Sequence, residues 1–289
     1  MKLHRTIFCA LVTGSFSTLV SAQFNVTGAG PYFSNGPIGD AGNSTINATY
    51  SGANASFGVV NFSGDLTDGG VGTFASEANW HIRNLTAGGF IDLQPSSVTS
   101  FSGTINVTAT SYLFGYGAST GNNFSLEAFE SFDDAGLDAT WNNVSFNFAA
   151  GPSITNIGTY ASGTSFTMDT FTSNFDTEMA LYSSAGLLLF NNDDSGGLQS
   201  MISPGMLADG TYTLVNGGYN SGFADHIANA GAAAGSLNVN INGTSVFTGN
   251  HAANTFDVMK FTVGSPVPEP ASIAAIGLGL ALLVRRRKK

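Results

Sequence analysis

The most constraining feature of this chain is an alternation of apolar and polar side chains that recurs along most of its length. Ile105, Val107 and Ala109 alternate with polar residues, and the same pattern returns from Leu237 to Ile241. A period of two predicts a β-strand with one buried face. Glycine, asparagine, serine and threonine fill the intervals, and strong helix formers are scarce. The body is therefore predicted to be all-β, with one or two β-sandwich units.

Turn signals support this prediction. Asn242-Gly243 stands between two alternating runs, and both positions of a two-residue hairpin turn favour φ > 0. The segment Gly103–Val107 resembles Gly235–Val239 at an offset of 132 residues. This similarity indicates two related units, although alternating strands also resemble one another by chance. We expect a boundary that divides the body into residues 23–155 and 156–265.

The N-terminus has the order of parts of a secretory signal peptide. Lys2 and Arg5 are basic, and residues 6–20 are mostly apolar. The small residues that end at Ala22 form a cleavage pattern, so residues 1–22 are predicted to be removed after passage through the Sec translocon. The single cysteine, Cys9, lies in this segment, so the exported body has no disulfide.

The C-terminus, residues 266–289, also has three parts in order. Val267, Pro268, Glu269 and Pro270 form a proline-flanked acidic motif, residues 271–284 carry no charge, and five basic residues follow. Fourteen helical residues extend about 21 Å, which is short for a bilayer core of about 30 Å. Residues 285–289 begin with Arg285, Arg286 and Arg287 and are expected to stop transfer on the cytoplasmic side of the inner membrane.

This order of parts resembles the PEP-CTERM sorting signal of Gram-negative bacteria. The resemblance implies recognition by an exosortase, removal of the tail and delivery to the cell surface. It also implies a cell that makes an extracellular polysaccharide, often in a biofilm. Glu269 would then belong to the processing signal and would have no catalytic role.

The exported body is strongly acidic. Only Arg83 and Lys260 are basic in residues 23–266, against eighteen acidic residues, which gives a net charge of −16. Such a body is not expected to bind nucleic acid or anionic lipid by electrostatic attraction. The acidity could attract divalent cations, or it could simply keep the protein dispersed.

Residues 165–219 resemble the bacterial pre-peptidase C-terminal domain. The resemblance is carried by Asp176, Glu178, the run from Asn191 to Gly197, and Asp209-Gly210. It implies a jelly-roll-like sandwich with a non-catalytic accessory role. No peptidase domain precedes it here, which leaves a role beside a protease in doubt.

The same segment contains a candidate metal site. Asn191, Asp193 and Ser195 place oxygen atoms at alternate positions before Gly196, as at the start of a calcium-binding loop. An EF-hand is excluded because the twelfth position, Ile202, cannot ligate. Asp176, Glu178 and Asp194 could complete a calcium shell with Asp193 from across the sheet. The alternative is a solvated Asx turn. No other cofactor is predicted.

Two further patterns suggest other functions. Gly117, Ser119 and Gly121 match a nucleophile elbow, which requires a strand before the serine and a helix after it. A strand is predicted to follow here, and the histidines are isolated, so a secreted hydrolase is disfavoured. Trp80 with His81, and Trp141, could stack against sugars and so form a glycan-binding module or adhesin, although a lone tryptophan on a strand more often belongs to the core.

The sequence thus predicts an exported, non-enzymatic protein of the cell surface or the extracellular polysaccharide matrix. Its expected partners are the exosortase, the Sec translocon and polysaccharide. The inner membrane would hold it transiently through its C-terminal helix.

Overall fold

A computed structural model describes residues 23–70, 74–132 and 138–264. Within these ranges the chain is built from strands and turns. The strands are, in chain order, β1 (Phe24–Gly28), β2 (Tyr32–Ser34), β3 (Thr45–Thr49), β4 (Ala55–Asp68), β5 (Ala78–Asn84), β6 (Phe90–Leu93), β7 (Thr104–Ala118), β8 (Asn123–Glu130), β9 (Ala139–Ala149), β10 (Ile154–Tyr160), β11 (Ser165–Asp169), β12 (Thr177–Ser183), β13 (Leu188–Asn192), β14 (Met201–Met206), β15 (Gly210–Gly218), β16 (Gly222–Ala224), β17 (Ile227–Asn229), β18 (Gly235–Ile241), β19 (Thr244–His251) and β20 (Asp257–Val263). The all-β prediction is confirmed.

The strands form four sheets. Sheet I has the order β1-β9-β4-β7-β17-β16, and β2 also pairs with β9. Sheet II has the order β3-β8-β5-β6, sheet III the order β10-β20-β15-β12-β13, and sheet IV the order β14-β11-β18-β19. Neighbouring strands are antiparallel except for β10 and β20, which run parallel.

Sheets I and II enclose one apolar core, and sheets III and IV enclose another. The first contains the fully buried rings of Trp80, Trp141 and Phe146. The second contains Phe166, Met259 and other apolar residues of the second half of the chain. Burial alternates along the strands that supply these cores, as the period of two predicts. The described structure therefore consists of two sandwich-like sheet pairs.

The two sheet pairs are joined in two ways. Tyr112 and Phe114 of β7 pack against Ala180 and Tyr182 of β12 in a third apolar cluster. In addition, the β16–β17 hairpin comes from the second half of the chain but extends sheet I, where Ile227 pairs with Leu113. The expected division near residue 155 falls between β9 and β10, but the contacts between the halves extend well beyond that connection.

The predicted Asn242-Gly243 hairpin is confirmed. These two residues connect β18 to β19, and both have positive φ, 52° and 74°. Asparagine and glycine tolerate this conformation at low cost, which explains their place in the turn.

The two ends of the chain lie outside the described residues. This applies to the predicted signal peptide (1–22), to the sorting motif Val267–Pro270, to the apolar segment 271–284 and to Arg285, Arg286 and Arg287. In the described part of the chain, no helix has the length and hydrophobicity to cross a membrane.

Candidate functional site

Three of the four predicted metal-ligating residues come together at one end of sheet III. Asp176 directly precedes β12, and Asp193 and Asp194 directly follow β13. The antiparallel pairing of β12 with β13, which places Met179 opposite Asn192, brings these ends side by side. Carboxylate oxygens of Asp176, Asp193 and Asp194 all lie within 4.8 Å of one another. We call these three residues the acidic cluster.

The charges of the acidic cluster repel one another. The pKa of Asp176 is raised, first by burial and then by the charges of Asp194 and Asp193. The pKa of Asp193 is raised by burial and by Asp194. Within the described residues neither Arg83 nor Lys260 forms a salt bridge, so no basic side chain neutralises the cluster.

In the described part of the chain, one oxygen of the cluster has no hydrogen-bond partner. Oδ1 of Asp176 is buried and has no hydrogen-bond partner among the described residues. A buried carboxylate oxygen without a partner is costly unless a donor or a cation reaches it. Three carboxylates with two oxygens each would supply much of the shell of about six to eight oxygens that calcium prefers.

Glu178 lies beside the cluster and in a different environment. Its side chain is 5% exposed, and its Oε1 accepts a hydrogen bond of 2.6 Å from the backbone N–H of Asn220. Burial raises its pKa to about 7; the charges of Asp193 and Asp176 add to this rise, whereas the backbone hydrogen bonds from Asn220 and Ser221 oppose it. Glu178 is not among the residues whose oxygens meet within 4.8 Å. Glu178 therefore interacts with the cluster only through electrostatic repulsion, and its carboxylate is hydrogen-bonded to the backbone.

The loop after β13 is held by an asparagine that the sequence did not single out. Oδ1 of Asn192 accepts hydrogen bonds from Oγ of Ser195 at 2.7 Å and from the backbone N–H of Met201 at 3.0 Å. The Ser195 hydroxyl is therefore engaged within the loop. The alternating pattern that starts at Asn191 folds as a side-chain-stabilised turn, and the calcium site remains a prediction for the acidic cluster.

The two tryptophans belong to the core, so the alternative of a sugar-stacking platform is wrong. Trp80 and Trp141 are both 0% exposed, and their rings lie 6.3 Å apart in the core between sheets I and II. Neither ring can stack on a sugar while the sandwich is folded. His81 faces the other side of β5, where Nδ1 lies 2.6 Å from Oδ1 of Asp92.

Ser119 lies in a tight turn between two strands. β7 ends one residue before it and β8 begins at Asn123, and the backbone N–H of Ser119 donates to Oδ1 of Asn122 at 2.9 Å. The described surroundings of Ser119 are thus strand–turn–strand, in contrast to the strand–turn–helix of a nucleophile elbow.

Comparison with known proteins identifies the tail. Residues 266–288 match the family described as the PEP-CTERM protein-sorting motif. This match confirms the resemblance predicted for the sorting tail. It does not extend to residues 165–219, where the resemblance to the pre-peptidase C-terminal domain stays a prediction. No curated protein matches the chain, and no solved structure matches it.

The chain therefore carries a sorting signal joined to an acidic, all-β body. The motif indicates a substrate of an exosortase that is exported to the cell envelope or surface of a Gram-negative bacterium.

Proposed function

We propose that this protein is a non-enzymatic component of the cell surface or of the extracellular polysaccharide matrix. In this proposal an exosortase cuts the chain near Pro268–Pro270 and releases the body from the inner membrane. The match of residues 266–288 to the sorting motif is the observation that carries the proposal. The acidic body supports it, because a net charge of −16 favours solubility outside the cell.

The fold of the body suits this role. Two packed sheet pairs bury many aromatic rings without a disulfide, because the one cysteine of the chain is Cys9. Burial and hydrogen bonds thus supply the stability that small secreted proteins often take from disulfides.

The processing step is tested by intact-mass measurement of the exported protein. The full chain is expressed in a host with an exosortase, and we expect the recovered protein to lack Arg285–Lys289. Glu269→Ala is expected to remain in the membrane fraction with its tail. Asp209→Ala removes the same charge from an exposed loop and serves as the matched control. Exported wild-type protein that retains the five basic residues would contradict the proposal.

A glycan-binding role remains an alternative, although Trp80 and Trp141 are buried and cannot contact a sugar. Such binding would have to use another surface of the body. The outward side of sheet I is the strongest candidate.

A further inference from the structure

Away from its apolar contact with sheet III, the outward side of sheet I carries neutral polar side chains in register. We call these side chains the polar face; they are residues 25 and 27 of β1, 145 and 147 of β9, 61 and 63 of β4, and 108 and 110 of β7. In one row across the four strands, Asn25 pairs with Asn147, Asn147 with Asn61, and Asn61 with Thr110. The inward neighbours of these residues belong to the core, so the row points away from it.

A second row repeats this arrangement two residues along. Thr27 pairs with Ser145, Ser145 with Ser63, and Ser63 with Thr108. Side chains in one row lie about 4.8 Å apart between strands, and successive rows about 6.8 Å apart along a strand. The two rows therefore present a regular lattice of amide and hydroxyl groups.

Four side chains of the first row are joined in pairs by hydrogen bonds. Oγ1 of Thr110 donates to Oδ1 of Asn61 at 2.8 Å, and Nδ2 of Asn147 donates to Oδ1 of Asn25. Each amide NH2 group has two donors and each oxygen two lone pairs, so groups remain to bind a ligand. Because these four side chains are already bonded to one another, a ligand loses less affinity to their ordering.

The polar face is nearly free of charge. Its one charged side chain in these rows and the next is Asp65, which accepts hydrogen bonds from Asn106 at 3.0 Å and Asn143 at 2.8 Å. The outward side of sheet II differs, because it presents Glu127 beside His81 and Asp92. A face with a single charged side chain in these rows and the next favours a neutral partner over a charged one.

We propose that the polar face binds an extended neutral polysaccharide, whose hydroxyl groups exchange hydrogen bonds with successive rows. An anionic polymer is disfavoured, since the body carries a net charge of −16 and this face offers no cation among its described residues. A single neutral hydrogen bond adds little affinity, so binding requires several rows at once. A polymer meets this requirement and a monosaccharide does not. This inference rests on the proposed role in a polysaccharide matrix and names the class of partner.

The test measures retention of the full chain, purified in mild detergent, on insoluble polysaccharides. We expect binding to cellulose or starch, which are neutral, and none to alginate, a polyuronate. The double variant Thr27→Val with Thr108→Val removes two hydroxyls and keeps the β-branched shape, so the fold is retained. Loss of two neutral hydrogen bonds is expected to weaken binding about tenfold.

Matched variants separate this surface from the rest of the body. Thr45→Val with Thr262→Val removes two exposed hydroxyls from sheets II and III, and binding is expected to stay unchanged. Asn61→Lys places a long charged side chain in the middle of the polar face and is expected to abolish binding. Asn47→Lys makes the same change on sheet II and is expected to bind as the wild type does.

Several outcomes would overturn the inference. These are no retention on any neutral polysaccharide, equal retention on alginate, or equal loss of binding in the test and control variants. Inhibition of ice growth without polysaccharide binding would also overturn it, because ordered water would then be the partner. None of these results affects the fate of the tail, so the proposed export and processing are judged separately.

Discussion

At the scale of single residues, the acidic cluster makes a prediction about calcium. Asp176, Asp193 and Asp194 repel one another, so a divalent cation that binds them stabilises the folded state. We expect calcium to raise the Tm relative to a chelator, and Asp193→Asn to lose most of this increase. Asp209→Asn removes the same charge from an exposed loop, and this variant should keep the increase in Tm. Equal Tm values with calcium and with chelator would contradict the prediction.

Glu178 predicts how stability depends on pH. Its pKa is raised from 4.5 to about 7 in the folded state, so the folded chain binds the proton more tightly than the unfolded chain does. The free energy of unfolding should therefore fall as the pH rises from about 4.5 to about 7. We expect a change of about 1–2 kcal/mol, because solvent screens part of the shift.

Glu178→Gln tests this dependence, because glutamine can still accept the hydrogen bond from Asn220. Urea unfolding at several pH values, with chelator present, should give a flatter profile for this variant. Asp209→Asn should keep the wild-type slope. A wild-type profile that rises over the same range would show that another group dominates.

The residue scale also shows how far the sequence can locate a site. Asp176 and Asp193 are seventeen residues apart, and the sequence grouped them as ligands from across a sheet; the pairing of β12 with β13 is what brings them together. The burial of Trp80 was predictable from the sequence, since Trp80 and Ile82 share one strand face while His81 and Arg83 share the other. The separation of Glu178 from the cluster could not be predicted from the sequence. Its carboxylate accepts a hydrogen bond from the backbone of Asn220, which lies in a loop distant along the chain.

At the scale of elements, the β12–β13 turn is a point of close contact between the two sheet pairs. Gly186 lies in this turn with φ of 86°, and its backbone N–H and C=O bond to Ser183 and His226 respectively. A Cβ at this position would overlap the carbonyl oxygen of Phe114 in β7. The turn therefore requires glycine for both conformation and space.

Gly186→Ala is expected to destabilise the protein by several kcal/mol, since backbone must shift as well as adopt a strained φ. Gly163→Ala is the matched control, because Gly163 also has a positive φ (79°) but no atom within 4 Å of a Cβ. This control should cost only about 1 kcal/mol. Urea unfolding measures both values, and equal losses would show that the contact with β7 is not tight.

The β16–β17 hairpin shows which elements the sequence could not place. Its strands have three residues each, too few for a periodic pattern to be recognised. It pairs with β7, more than one hundred residues earlier, where Ile227 lies opposite Leu113. Local propensity carries no information about such a partner, whereas the two-residue turn at Asn242-Gly243 is fixed by its own conformational demands.

At the scale of the whole molecule, the described halves are coupled through an apolar interface. Phe114 of sheet I stacks on Tyr182 of sheet III, with ring centroids 4.4 Å apart, and Oη of Tyr182 donates to the carbonyl of Ile227 at 3.1 Å. Domains joined only by a linker would unfold independently. Here the two halves share an apolar cluster and a sheet. Unfolding of one half would therefore expose apolar surface of the other.

We therefore expect the wild-type chain to unfold in one thermal transition, with equal calorimetric and van't Hoff enthalpies. Phe114→Ala removes the ring that stacks on Tyr182 and should cost about 3–5 kcal/mol. Because this loss falls on the interface, the single transition should broaden or divide into two. Phe171→Ala removes a ring that is 44% exposed and lies in the second half, away from this interface, and it should leave one transition. Two transitions in the wild type would show that the halves fold independently despite the sheet they share.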